Sequence, residues 1–138
     1  MNVRQAFETH LSTMVSVLST EYENVAFTPT NGTAYQSCYL LLSDPDDYTL
    51  SLAGQFLESG IFQVTIKYPT GTGATTAEDK ARAVRDHFRR GTILTNNDDG
   101  IEEYFVNSTP SIRTLGVDGD RFNLVVSVPF RVKLQQGT

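Results

Sequence analysis

"GIFQVTIKYPTGTGATTAEDKARAVRDHFRRG", residues 60–91, runs from a strand through a glycine-bearing turn into a helix. In its first part Phe62, Val64, Ile66 and Tyr68 alternate with Gln63, Thr65 and Lys67. Successive side chains of a strand point to opposite faces, so one face of this strand is buried and the other is polar. The second part has helical period, with Ala77, Ala81, Val84 and Phe88 on one side. Thr75 stands three residues before Glu78, the spacing of a capping box, and Gly91 closes the helix. The same order of elements builds nucleotide-binding loops. A dinucleotide fingerprint needs G-x-G-x-x-G, however, and although Gly71 and Gly73 fit, Thr76 takes the third position. A Walker loop needs a lysine, and none lies between Gly71 and Glu78. Glu78 and Asp79 would repel a phosphate, and a parallel strand covered on both faces would be apolar throughout. The stretch is therefore a connector in a half-exposed sheet, and no cofactor is expected.

Working outward, Val3, Phe7, Leu11, Met14 and Leu18 recur at intervals of three and four and predict a core-facing helix over about residues 2–19. The run 35–42 has strand composition, "SDPDD" breaks it, and Tyr48, Leu50 and Leu52 alternate up to Gly54, giving two neighbouring antiparallel strands. Downstream, "NNDDG" marks a turn, "IEEYFV" and "PSIRTLGV" read as strands, and "VDGD" carries an Asp-Gly hairpin signal. The last strand alternates from Phe122 to Val132; Pro129 cannot donate to a ladder, so this strand is expected at an edge or bulged. The expected fold is α+β, a mainly antiparallel sheet with two principal helices packed on it. A single domain spans 1–138, with 135–138 a loose tail.

Apolar residues make up 39% of the 138, with eight Phe and six Tyr, enough bulk for a core that needs no staple. The N-terminal stretch, interrupted by Arg4, Glu8 and His10, resembles neither a signal peptide nor a membrane span, so no membrane partner is expected. A net charge of −5 argues against broad nucleic-acid binding. Cys38, the single cysteine, lies in the apolar run "YQSCYLLL" and reads as a buried, inert thiol.

Catalytic chemistry has little to work with. "DPDD" (44–47) and "NNDDG" (96–100) collect oxygen ligands but lack the spacing and distal Glu of a calcium loop, and polar turns account for both, so no metal is expected. Glu102 and Glu103 are adjacent in a strand and point to opposite faces. His10 and His87 have no Ser, Cys or carboxylate spaced to work with them, and no catalytic residue is assigned. Arg82, Arg85 and Arg89 give the second helix a basic face. Its plain reading is a solvated surface, partly paired with Glu78, Asp79 and Asp86; its sharper one is contact with an acidic patch on a neighbouring copy.

Together, "ENVAFTP" (23–29), the block "GIFQVTIKYPTGTGATTAEDKARAVRDHF" (60–88) and "VSVPFR" (126–131) resemble the tail-terminator-like proteins of long-tailed bacteriophages over nearly the whole chain. The helix carrying Lys80, Arg82 and Arg85 is more charged than in that family's alanine-rich version. The resemblance implies a non-enzymatic virion protein, assembled in the host cytoplasm, that forms a hexameric ring on the head-proximal end of the tail tube. There it stops tube polymerisation and offers a surface for head attachment. The implied partners are further copies of itself, the tail tube protein and a head-completion or neck protein. On this reading Arg82, Arg85 and Arg89 meet the adjacent subunit, while Asp44, Asp46 and Asp47 in the 43–54 loop and Thr70, Gly71 and Gly73 in the 70–75 turn reach the tube. The alternatives are a neck or head-completion ring protein, which would grip a portal complex instead, and a small ligand-binding α+β domain, which would need a deep pocket.

Overall fold

The computed structural model describes residues 3–14, 17–29, 32–42, 46–47, 56–71, 73–95 and 102–134. Its elements are α1 (Val3–Ser12), β1 (Ser19–Glu21), β2 (Tyr35–Leu42), β3 (Asp46–Asp47), β4 (Phe56–Pro69), α2 (Ala74–His87), β5 (Ile93–Thr95), β6 (Glu102–Val106), β7 (Ser111–Asp118) and β8 (Arg121–Leu134). The spine is the antiparallel pair β4 and β8, in register from Phe56↔Leu134 to Pro69↔Arg121. Their alternation sets Phe62, Val64 and Ile66 beside Val128, Val126 and Leu124 on one buried face. The sheet order is β1-β2-β4-β8-β6-β5, with β3 on β4 and β7 on β8.

The expected fold class is corrected by these elements. Eight strands stand against two helices among the described residues, so the fold is sheet-dominated, a mixed sheet curled into a half-barrel with two helices. Antiparallel ladders dominate, but β1 runs parallel to β2 (Ser19↔Tyr35), joined by the crossover segment 22–34. Long strands carry the intrinsic twist that coils a sheet, and a bulge between Thr114 and Gly116 adds to it. The helical expectation for 2–19 overshot because apolar spacing continues where the backbone does not. Ser12 and Thr13 hydroxyls donate to the carbonyls of Thr9 and His10, each at 2.6 Å, and the Thr13 and Met14 amides bond three residues back. These local bonds end the helix, yet Met14 still reaches the core.

Two further expectations change. Thr75 is not the cap of α2: the helix starts at Ala74 after Gly73, whose φ of +84° suits glycine, and no side chain caps it. Pro129 is not on an edge, for β8 is central. On one side it pairs with Ile61, and on the other it falls between Ser111↔Ser127 and Val106↔Phe130, where β7 has ended and β6 begins. A missing N–H costs little at that handover. The strand expected at 48–52, the turn at 96–100 and the tail at 135–138 lie outside the described residues.

Both helices cover the buried sheet face. Phe7 and Leu11 of α1, and Ala77, Ala81 and Val84 of α2 with Phe88 just beyond it, are fully buried there. Phe7 lies 5.2 Å from Phe62, 6.0 Å from Phe88 and 4.6 Å from Phe130, ring centre to ring centre. On the opposite face Tyr35 is held by Phe27 at 5.3 Å, with Lys67 and the Arg121 guanidinium 5.3 and 4.9 Å from its ring centre. Arg121 also donates to the Thr33 carbonyl, so the buried arginine pins the crossover to the sheet.

Candidate interaction surfaces

The arginines of α2 lie on a flank beside its buried stripe. Arg82 is exposed and within 3.4 Å of Asp79; Arg85 is half-buried and 4.0 Å from Asp86. Such exposed short-range pairs are worth little, and Arg89 and the adjoining Arg90 are exposed. These two line an open cavity of about 610 Å³ with His10, Asp86, His87, Gly91 and Thr92.

The cavity contains a joint that sequence reading missed. His10 and His87 stack at 4.1 Å, 18° from parallel. His10 Nε2–H donates to the His87 carbonyl at 2.9 Å, and His87 Nε2–H to the His10 carbonyl at 2.6 Å. The ends of two helices far apart in sequence are thereby clamped; the helix read over 2–19 had placed His10 in mid-helix, so the sequence did not announce the pairing. Burial pushes the His10 pKa below its usual 6.5, assisted by His87, against the opposing pull of the carbonyl bond. With the folded-state pKa depressed, the unfolded chain binds more protons just below pH 6.5, so this contribution to stability is present above that pH and lost as pH falls through the window beneath it. Asp86, Arg89 and Arg90 also face the joint. Thermal unfolding between pH 7.5 and 5.5 is expected to show a falling Tm that His10→Gln makes less steep; parallel slopes in the two proteins would refute the clamp.

The two loops expected at the tube are not brought together. Asp46 and Asp47 pair with Leu57 and Phe56 at one end of β4, whereas Thr70 and Gly71 follow Pro69 at the other. Fourteen residues of strand separate these ends by roughly 40 Å. Asp44 lies outside the described residues. At the far pole the Thr70 amide bonds the Asp120 carbonyl at 3.0 Å, tying the β4–α2 turn to the β7–β8 hairpin, whose Gly119 has φ +64°.

A third surface is the β1–β2 edge, where Glu21, Tyr22, Glu23, Asn24, Val25, Ala26 and Tyr39 line an open groove of about 420 Å³. The Glu23 carboxylate accepts from Arg4 at 2.8 Å and from the Leu40 amide at 2.7 Å, which holds its pKa below the ordinary carboxylate value. Arg4 also lies 3.9 Å from Glu8, whose pKa burial raises. Glu21 accepts from the Ser37 hydroxyl at 2.8 Å and has no cationic partner among the described residues. Beside the groove Cys38 is buried, and desolvation pushes its thiol up to about 12, so it is unreactive at neutral pH.

Exposed apolar side chains lie at strand edges, at Leu41, Leu42, Ile93, Leu115 and Val117. The chain belongs to the phage tail terminator protein family, whose profile matches residues 2–130. It is accordingly a structural protein of the virion tail. A solved structure 21% identical in sequence shares the fold with a TM-score of 0.77, covering 98% of this chain and 96% of that one. No curated protein sequence matches the chain.

Proposed function

We propose that the protein forms a ring, hexameric as in the family resemblance, that caps the head-proximal end of the tail tube, stops its growth and offers a surface for head attachment. The observation that carries this reading is a family match spanning residues 2–130 of the chain, 129 of its 138 residues. The two poles of the β4–β8 spine suit a disc between two axial neighbours. One pole, bearing Asp46 and Asp47, meets one neighbour, and the pole of Thr70, Gly71 and Gly73 meets the other. Assembly takes place in the host cytoplasm, and the arginine flank of α2 (Arg82, Arg85, Arg89) faces the adjacent subunit.

The test adds purified protein to polymerising tail tube protein. Binding to tube ends, arrested elongation and a ring mass by light scattering are the expected results. Glutamate at all three α2 arginines should lower assembled mass at low salt without lowering Tm. A persistent monomer without affinity for tubes would overturn the reading, and binding to a portal complex but not to tubes would favour a neck protein.

A further inference from the structure

We infer that successive copies join edge to edge, β7 of one copy docking on the β1–β2 edge of the next with Arg113 entering the groove beside Glu21. The inference rests on the ring reading and adds to the α2 flank the two strand edges that meet between neighbouring subunits. Among the described residues β7 pairs with β8 alone, and it is exposed along most of its length. Leu115 and Val117 leave 55% and 66% of their surface in water, and Arg113 has no ionic partner among the described residues. A long edge strand with exposed apolar side chains invites pairing with another chain.

The β1–β2 edge is complementary in both respects. Beyond Ser37, β2 has no strand partner on its β1 side among the described residues, and Tyr39 and Leu41 are exposed there at 39% and 54%. Arg4 is divided between Glu8 and Glu23, and among the described residues the carboxylate of Glu21 has no cation. Among the described residues Glu21 on one edge thus has no cationic partner and Arg113 on the other no anionic one. Cross-strand register places Arg113 beside Val125, Thr65 and Ser37 in one row, on the sheet face that carries Tyr39 and Leu41 two and four residues further along β2. The arginine and the groove therefore open on the same side of the sheet. Because the two edges differ, the contact is heterologous and repeats head to tail, as closure into a ring requires.

Charge exchange tests the pairing. Arg113→Glu and Glu21→Arg are each expected to weaken self-association roughly tenfold, measured by light scattering with and without tail tube protein, and the double exchange to recover most of it. Because Glu21 also accepts from Ser37, Glu21→Gln and Arg113→Gln serve as milder variants whose folding is checked by Tm; their combined effect should be smaller than the sum of the two. If every variant assembles like the unaltered protein, the ring stands and this interface is wrong. If the unaltered protein does not assemble even on tubes, ring and interface fall together.

Discussion

Phe7→Ala is expected to destabilise the protein by about 3–5 kcal/mol, the cost of emptying a fully buried aromatic site. Phe7 is fully buried and lies against Phe62 of β4, Phe130 of β8 and Phe88 beyond α2, so its ring joins four parts of the chain. Two of those neighbours are fixed on the central β4–β8 ladder, which limits how far the cavity can collapse. Leu11 and Ala6 keep their own places in the core but do not fill the space the ring leaves, and the polar ties of α1, the His10–His87 clamp and the Arg4–Glu23 ion pair, are partly exposed and cannot replace the lost apolar contact. Urea unfolding followed by far-UV circular dichroism should show a lower midpoint with little change in slope, and Phe7→Leu should lose under half as much. A loss below about 1 kcal/mol for the alanine variant would mean that α1 is not locked by this ring.

What the sequence revealed follows from how local the determinants are. The alternation of Phe62, Val64 and Ile66, and of Leu124, Val126 and Val128, is a local signal that survives in the sheet. The spacing of Ala77, Ala81, Val84 and Phe88 likewise marks the buried side of α2. Strand pairing is decided elsewhere. Nothing in "STE" at 19–21 announces that it lies parallel to a strand beginning at Tyr35, because that contact depends on the crossover that Phe27, Tyr35 and Arg121 hold down. Pro129 shows the same limit: its cost depends on where β7 stops and β6 starts, which its own strand does not encode. The surfaces were legible only in part. Helical spacing put Arg82, Arg85 and Arg89 on one flank, but the unmatched Glu21 emerges only once Arg4 folds back to Glu23. The extent of the sheet was underread because β4 begins at Phe56, well ahead of its alternating core, and short strands such as β1 and β5 carry little pattern.

Gly60→Ala is the second large effect, expected to lower stability by about 3 kcal/mol, near the upper end for an overpacked site. Gly60 is the first residue of the block quoted at the outset and sits within β4, paired with Leu42 on one side and Phe130 on the other. Two effects compete. A glycine inside a strand costs roughly 0.5–1 kcal/mol relative to alanine, so backbone entropy alone would make the substitution stabilising. A methyl group at this position, however, would stand 2.4 Å from the Leu41 carbonyl oxygen and 3.0 Å from Cζ of Phe130. The closer atom is main chain, and no rotamer change removes it; either β2 moves away from β4 or the spine bends. Sterics therefore outweigh entropy, and Tm should fall by roughly 10 °C for a chain of this size. Movement of β2 would also displace Tyr39 and Leu41, so any Gly60→Ala protein that remains folded should self-associate more weakly. A rise in Tm would show that the entropic term prevails and that β2 does not approach β4 as closely as Gly60 requires.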